Sequence, residues 1–340
     1  MAINLISDTI TRPTTQMLEA MFTAEVGDDV FGEDPTVNRL QEKAAAMFGM
    51  EDALFCPSGT MTNQIALKLH TQPLDEIICD VDSHIYQAET GGYAFHSGAS
   101  IALIHGENGK IKSEQIISQI RAGFDWQPLS TLVVLENSCN KGGGSYYTLD
   151  EIDAIYQVTK SRKLRLHLDG ARIFNVLVET RESAREYGSY FDTISICLSK
   201  GLGAPVGSLL LGSKDQIKKA RRIRKVMGGG MRQAGYLAAA GIYALDHHIE
   251  RLKTDNERAH KTGQILAKKG FVSHLKPVLT NIVIFELDPR ISCEMFLDAL
   301  KKHHILASAF GHQTIRLVFH LDISEQEFET ICQVLENLHF

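Results

Sequence analysis

Three short stretches place residue types suited to cofactor chemistry where an α/β sheet would expose them. The segment Ala53-Leu54-Phe55-Cys56-Pro57-Ser58-Gly59-Thr60 runs from an apolar strand into a glycine turn, and Thr60-Met61-Thr62-Asn63-Gln64-Ile65 reads as the start of a helix. Free N–H groups at a helix N-terminus, aided by the helix dipole, bind anions, and Thr60 adds a hydroxyl. The bland alternative is a plain glycine turn with Thr60 as N-cap. Leu166-His167-Leu168-Asp169-Gly170-Ala171-Arg172 ends a strand on a carboxylate. A buried acid needs a partner to stay charged, and a cationic ring nitrogen would serve. The alternative there is a structural Asp169–Arg172 pair across a tight turn. Ile194-Ser195-Ile196-Cys197-Leu198-Ser199-Lys200-Gly201-Leu202-Gly203 puts a lysine just after another apolar strand. A lysine held there can have a depressed pKa and form a Schiff base; otherwise it snorkels out of a loop.

An anion cradle, then Asp at a strand end, then Lys after a later strand is the layout of the pyridoxal-phosphate (PLP) superfamily related to aspartate aminotransferase. There the Asp holds the pyridine nitrogen protonated, which makes the ring an electron sink. His84, in Asp82-Ser83-His84-Ile85-Tyr86, falls where that superfamily stacks an aromatic group on the ring.

Such residues need a sheet whose strands end together. Apolar segments at 53–56, 77–81, 101–105, 131–136, 165–169, 193–198 and 206–211 alternate with helical or loop segments, which predicts α/β architecture with a mostly parallel seven-stranded sheet. Several are apolar throughout, such as Thr131-Leu132-Val133-Val134-Leu135, as a strand buried on both faces requires. Ligands of such sheets bind beyond the strands' carboxyl ends. The first forty residues read as irregular up to Asp34-Pro35, an N-cap and N1 pair. Val37, Leu40, Ala44 and Phe48 then follow at helical spacing before Gly49. Residues 231–269 read as long helix with little strand. Beyond them a strand at 282–287, a helix at 292–303, strands near 304–310 and 314–319 and a helix from Ser324 predict a smaller α+β domain. The expected division is an N-terminal arm and active-site loop (1–35), a large domain (36–245) and a small C-terminal domain (246–340).

The 340 residues suffice for a large core, with 44% hydrophobic and 22% charged residues. Net charge is −6 and basic residues are scattered, which argues against nucleic acid. The one basic cluster, Lys218 to Lys225, reads as a solvated helix face. Six cysteines show no metal or C-x-x-C spacing, and several lie in apolar runs as reduced, buried thiols would. With no signal segment or membrane span, the expected location is the cytoplasm.

The chain resembles the low-specificity L-threonine aldolases of the β-eliminating lyase group over almost its whole length. The strongest stretches are Ser7-Asp8-Thr9 with Thr11-Arg12-Pro13, Val26-Gly27-Asp28-Asp29-Val30-Phe31-Gly32, Asp169-Gly170-Ala171-Arg172-Ile173-Phe174-Asn175, Leu198-Ser199-Lys200-Gly201-Leu202-Gly203 and Gly228-Gly229-Gly230-Met231-Arg232-Gln233. The resemblance implies a fold type I, PLP-dependent transferase-like enzyme that cleaves L-threonine or L-allo-threonine to glycine and acetaldehyde. It implies that Lys200 carries PLP, Asp169 pairs with its nitrogen, and Gly59 and Thr60 hold its phosphate. Arg232 would reach the phosphate of a neighbouring subunit, in a homotetramer built as a dimer of dimers with shared active sites. Ser7, Arg172 and Arg316 would clamp the substrate carboxylate. Family members usually read Glu-Asn-Thr-His-Asn where this chain has Glu136-Asn137-Ser138-Cys139-Asn140. Cys139 therefore stands at the place of a histidine near the substrate's β-hydroxyl. A thiol is a poor base near pH 7, so the proton transfer is expected to fall to His84, through a water if needed. Phe31 replaces a common tyrosine. The same electron sink also supports β-elimination from serine, cysteine or aromatic amino acids. A non-catalytic amino-acid binder would have no need of lysine, acid and cradle together, and a nicotinamide fold lacks its G-x-G-x-x-G.

Overall fold

The structure, a computed structural model, describes residues 2–340. Local chemistry accounts for where its elements begin and end. Asp34 accepts the N–H groups of Thr36 and Val37 at 3.1 and 3.0 Å, and Pro35 fills the first position of the helix Pro35–Phe48. Val37, Leu40, Ala44 and Phe48 are fully buried, and Gly49, at φ 64°, closes the helix in the left-handed region.

The strands are β1 (Ile3–Asn4), β2 (Asp52–Cys56), β3 (Asp75–Asp80), β4 (Ser100–Ile104), β5 (Leu129–Glu136), β6 (Arg165–Gly170), β7 (Thr193–Cys197) and β8 (Ser208–Gly212). They continue with β9 (Val272–Leu275), β10 (Ile282–Leu287), β11 (Ile305–Leu306), β12 (Ser308–Ala309) and β13 (Thr314–Val318). The central sheet has seven strands in the order β2-β8-β7-β6-β5-β3-β4. Four pairings are parallel; only those of β8 with β7 and β2 are antiparallel. Since β8 alone runs backwards, β2, β3, β5, β6 and β7 all deliver their carboxyl ends to one edge. Glu136 lies beside Asp169 there, and Asp169 beside Ser195. Every residue of β3, β7 and β8 is buried, as a sheet covered on both faces demands.

A second, antiparallel sheet runs β12-β13-β10-β9, and β1 pairs in parallel with β11. Its core gathers Phe285, Phe296, Leu317 and Phe319, and it takes in Ile3 and Leu5 from the chain's start. The N-terminal segment thus touches both cores: its first strand pairs with β11 beside the small core, and Met17 is buried in the large one.

Three local expectations change. The segment read as irregular contains a helix, Thr15–Phe22, capped by Thr14; only Met17 is buried, so no apolar stripe announced it. The long helix is two, Gly235–His247 and Leu252–Leu266. The break lets His248 Nδ1 bond the Leu202 carbonyl at 2.7 Å and Arg251 reach that of Gly201. The basic cluster lies on the helix Lys214–Val226, mostly on its solvent side, but Arg224 is buried against Asp29 at 2.7 Å.

Candidate active site

Residues from β3, β5, β6 and the helix Gly59–His70 meet at the carboxyl edge of the central sheet. His84 opens the short helix after β3. Its backbone N–H donates to Glu136 Oε2 at 2.7 Å, and its Nδ1 lies 2.8 Å from Glu89 Oε1. Glu89 is buried, and its oxygens also accept from Asn63 Nδ2 at 2.9 Å and Gln64 Nε2 at 2.6 Å. Asn63 Nδ2 donates as well to Asp169 Oδ2 at 2.8 Å, while Asp169 Oδ1 accepts the Ala171 N–H. The bond to Glu89 raises the His84 imidazole above its usual pKa against the lowering effect of burial. Burial, then the neighbouring Asp169, pushes the Glu136 carboxyl up to about 7. Atoms of His84, Glu89 and Asp169 lie within 4.8 Å of one another. Glu89's oxygens are already taken by three donors, so this set orients His84 rather than ligating an ion.

The other side of the site is cationic. Arg172 is buried and grips Asp8 with two bonds of 2.7 Å, from Nε and Nη2. That grip settles the alternative raised for the strand end: Arg172 pairs with Asp8, not with Asp169. Burial alone would raise the Asp8 carboxyl, but Arg172, with help from Lys200, holds it down at about 2. Arg316, on β13, donates to Asn140 Oδ1 at 2.9 Å and to the Ile6 carbonyl at 3.0 Å, and its guanidinium lies over the Phe310 ring. Arg316 Nε is buried without a partner, and among the described residues no carboxylate pairs with this guanidinium. Burial, then the neighbouring Arg172 charge, lowers it to about 10. An arginine so placed is short of an anion.

Lys200 follows β7, half-buried, its carbonyl held by the Thr11 hydroxyl at 2.8 Å. Gly59 and Thr60 begin their helix as expected, but the N-cap is Ser58, which takes the Met61 N–H. Ser7 caps the short turn Asp8–Ile10. Arg232 is half exposed and bonds Asp28 at 2.7 Å, with its guanidinium 5.8 Å from the exposed Phe31 ring. The Cys139 thiol is buried within hydrogen-bond reach of the carbonyls of Glu136 and Gly109, at 3.1 and 3.4 Å, and burial lifts it well above the usual thiol range. Cys139 packs in the large core.

The residues present fit PLP. Ser208 Oγ is buried without a partner, 3.5 Å from where a Cβ on Gly59 would sit, so the turn is open to a ligand with acceptor oxygens. Asp169 has acids and an amide about it but no arginine or lysine bonded to it, which suits a cationic ring nitrogen. Four contributors escaped the sequence reading: Asp8, Asn63, Glu89 and Glu136. Asp8 stood inside a stretch that carried the resemblance and Glu136 in the one that departs from the family pattern, both without a role; Asn63 and Glu89 gave no signal beyond being polar.

The beta-eliminating lyase family model matches residues 4–289. The low specificity L-threonine aldolase of Escherichia coli (strain K12) is 39% identical over 330 residues, 97% of this chain and 97% of that protein. A probable low-specificity L-threonine aldolase of Arabidopsis thaliana is 37% identical over 343 residues, 99% of this chain and 97% of its own length. The solved threonine aldolase of Leishmania major shares the fold, with TM-score 0.83 at 23% identity over 98% of each chain. Matched by the family model over most of its length and by full-length relatives well above 30% identity, the chain belongs to the beta-eliminating lyase family.

Proposed function

We propose that the protein cleaves L-threonine, L-allo-threonine and related β-hydroxy-α-amino acids into glycine and an aldehyde, with PLP held at Lys200. The observation that carries this reading is the pairing of two opposed sites. A carboxylate-rich wall at Asp169 and His84 stands on one side, and an arginine without a carboxylate, Arg316, on the other. Relatives 37–39% identical that are low-specificity L-threonine aldolases support it.

When bound, PLP supplies an electron sink for the bond broken at the substrate's α-carbon. The chain's own residues do the rest. Asp169 would hold the ring nitrogen, and Gly59 and Thr60 would hold the phosphate at a helix N-terminus. Arg316 takes the substrate carboxylate in a fork of N–H donors, with Ser7 and Arg172 beside it. Asp8 fixes Arg172, so the clamp keeps its shape before substrate arrives. Lys200 would hold the cofactor through its side-chain amine. His84, with Nδ1–H donated to Glu89, keeps Nε2 free to take the β-hydroxyl proton, directly or through a water. The Cα–Cβ bond then breaks, the aldehyde leaves, and the α-carbon takes a proton to become glycine.

The active form is a homotetramer of two dimers, with Arg232 reaching a neighbour's phosphate. Its exposed position beside Phe31, and the exposed Phe22 and Val226, support that assembly. Among the described residues no helix is long and apolar enough to cross a membrane. Six free thiols, five of them buried, support a cytoplasmic location.

The deciding experiment incubates the purified protein with each threonine diastereomer. Equimolar glycine and acetaldehyde are expected, together with a visible cofactor band that Lys200→Ala abolishes. Pyruvate and ammonia in their place would make the protein a β-eliminating enzyme instead.

A further inference from the structure

Behind Asp169 lies a row of buried polar side chains that the reaction does not use. His70 Nε2 is 2.9 Å from Thr193 Oγ1, and Thr193 Oγ1 is 2.8 Å from His167 Nδ1. His167 Nε2 is 3.2 Å from Asn63 Oδ1, and Asn63 Nδ2 is 2.8 Å from Asp169 Oδ2. His167, Asn63 and Thr193 are essentially solvent-free, and His70 closes the row at the far end of the helix that begins at Gly59. Burial holds both imidazoles down at about 4, so each ring is neutral near pH 7 and carries one N–H.

The direction of every bond follows from counting hydrogens. Asn63 Nδ2 faces two carboxylate oxygens, Glu89 Oε1 at 2.9 Å and Asp169 Oδ2 at 2.8 Å, and only an NH₂ group can serve both. Its carbonyl oxygen must then face His167, so His167 Nε2 carries the proton. His167 Nδ1 is left as an acceptor, filled by the Thr193 hydroxyl. That hydroxyl has spent its one proton and accepts from His70 Nε2–H. The competing arrangement puts the proton on Nδ1, aimed at the Thr193 carbonyl at 3.1 Å. It would set the Nε2 lone pair against the Asn63 oxygen at 3.2 Å, two acceptors face to face.

We propose that His70, Thr193, His167 and Asn63 form a one-way row of donors that ends on Asp169 and sets how firmly Asp169 keeps the cofactor's ring nitrogen protonated. The proposal rests on PLP occupying the site described above. These four are positioning residues. The row is not a proton wire, because the Asn63 amide does not ionise; it acts by polarisation and by fixing one oxygen of the carboxylate. Each donor aimed at a carboxylate favours its ionised form. With the row intact, the shared proton therefore stays on the ring and the electron sink is at full strength. If the Thr193 hydroxyl is lost, His167 is free to move its proton to Nδ1 and bond the backbone carbonyl. Its lone pair then faces Asn63, the amide is pushed off Asp169, and the carboxylate draws the proton from the ring.

The test uses the holoenzyme reconstituted with PLP labelled with ¹⁵N at the pyridine nitrogen. In Thr193→Val, which keeps shape and strand propensity, the ring nitrogen signal is expected to move toward its unprotonated position. PLP should stay bound, and kcat should fall by about tenfold at nearly constant KM, the equivalent of one pKa unit at the ring. Thr193→Ser, which restores the hydroxyl, should return both the signal and kcat. An unmoved ¹⁵N signal in a folded, PLP-bound Thr193→Val overturns the proposal. Should that variant fail to fold, the wild-type protein decides alone. Solid-state ¹⁵N spectra of histidine-labelled holoenzyme should show His167 protonated at Nε2, and a proton on Nδ1 overturns the row. A wild-type protein without the visible cofactor band would instead refute PLP binding itself, so the two failures are distinct.

Discussion

The Asp169 side and the Arg316 side of the site are built in opposite ways. Around Asp169, three carboxylates are held by donors from the helix Gly59–His70, from His84 and from the backbone of Asn140 and Ala171, and both Glu89 oxygens are filled. Around Arg316, the groups come from residues 6–8, 140, 172 and 316, and a buried guanidinium nitrogen is left without a partner. On the first side the carboxylates are bonded in advance, and the partnerless Ser208 hydroxyl is left at the Gly59 turn, which suits a permanent cofactor. The second is assembled from both domains and is completed by an anion, which suits a substrate that comes and goes. Buried polar groups without partners are costly, so the chain keeps them where a ligand relieves them.

That contrast can be broken at several points. The largest effect is expected at Asp8, the one acid among the arginines. Asp8→Ala leaves Arg172 buried and uncompensated, and should cost about 3–5 kcal/mol of stability, read from urea midpoints. The pH dependence has a definite sign. Asp8 is held at about 2 in the fold, below its ordinary 3.8, so its contribution is whole above pH 3.8 and is lost as pH falls through 2. The gap between wild type and variant should therefore be constant from pH 8 to 4 and close in stronger acid. A gap that widens in acid would show that Asp8 is not the partner of Arg172.

The next effect should come from Arg316→Ala. Loss of the fork should lower kcat/KM by about 2–3 kcal/mol, chiefly through KM, with the cofactor band unchanged. Loss of the band would mean that the arginine side also holds the cofactor, and the division into two sides would fail. Glu89→Gln should act most mildly, within about tenfold in rate at high pH. It removes the main cause of the raised His84 pKa, so the rising limb of the rate–pH profile, expected above pH 6.5, should move to lower pH. A limb that stays in place would dismiss His84 as the base.

The two sides also differed in how well they could be read from the chain. Gly59, Asp169 and Lys200 each stand at the end of an apolar segment, and a strand end is a local feature of sequence. The seven segments matched the seven strands to within a few residues for the same reason. The Asp34 cap and Gly49 stop were legible because capping is decided within four or five residues. Asp8 and Arg172 are 164 positions apart, and nothing local says that they meet. Glu89 and Asn63 look like surface polar residues until the fold buries them. Cys139 shows the converse: its position in the motif says nothing of its surroundings, and the fold packs its side chain into the core.

By itself, then, the sequence determined the strands, the helix caps and the polar residues that end the strands, because hydrophobic periodicity and turn chemistry act over a few residues. Only the tertiary structure decided which acid serves which base. Hydrogen bonds inside a protein depend on ångström-scale placement and on burial, and both are set where distant segments pack together.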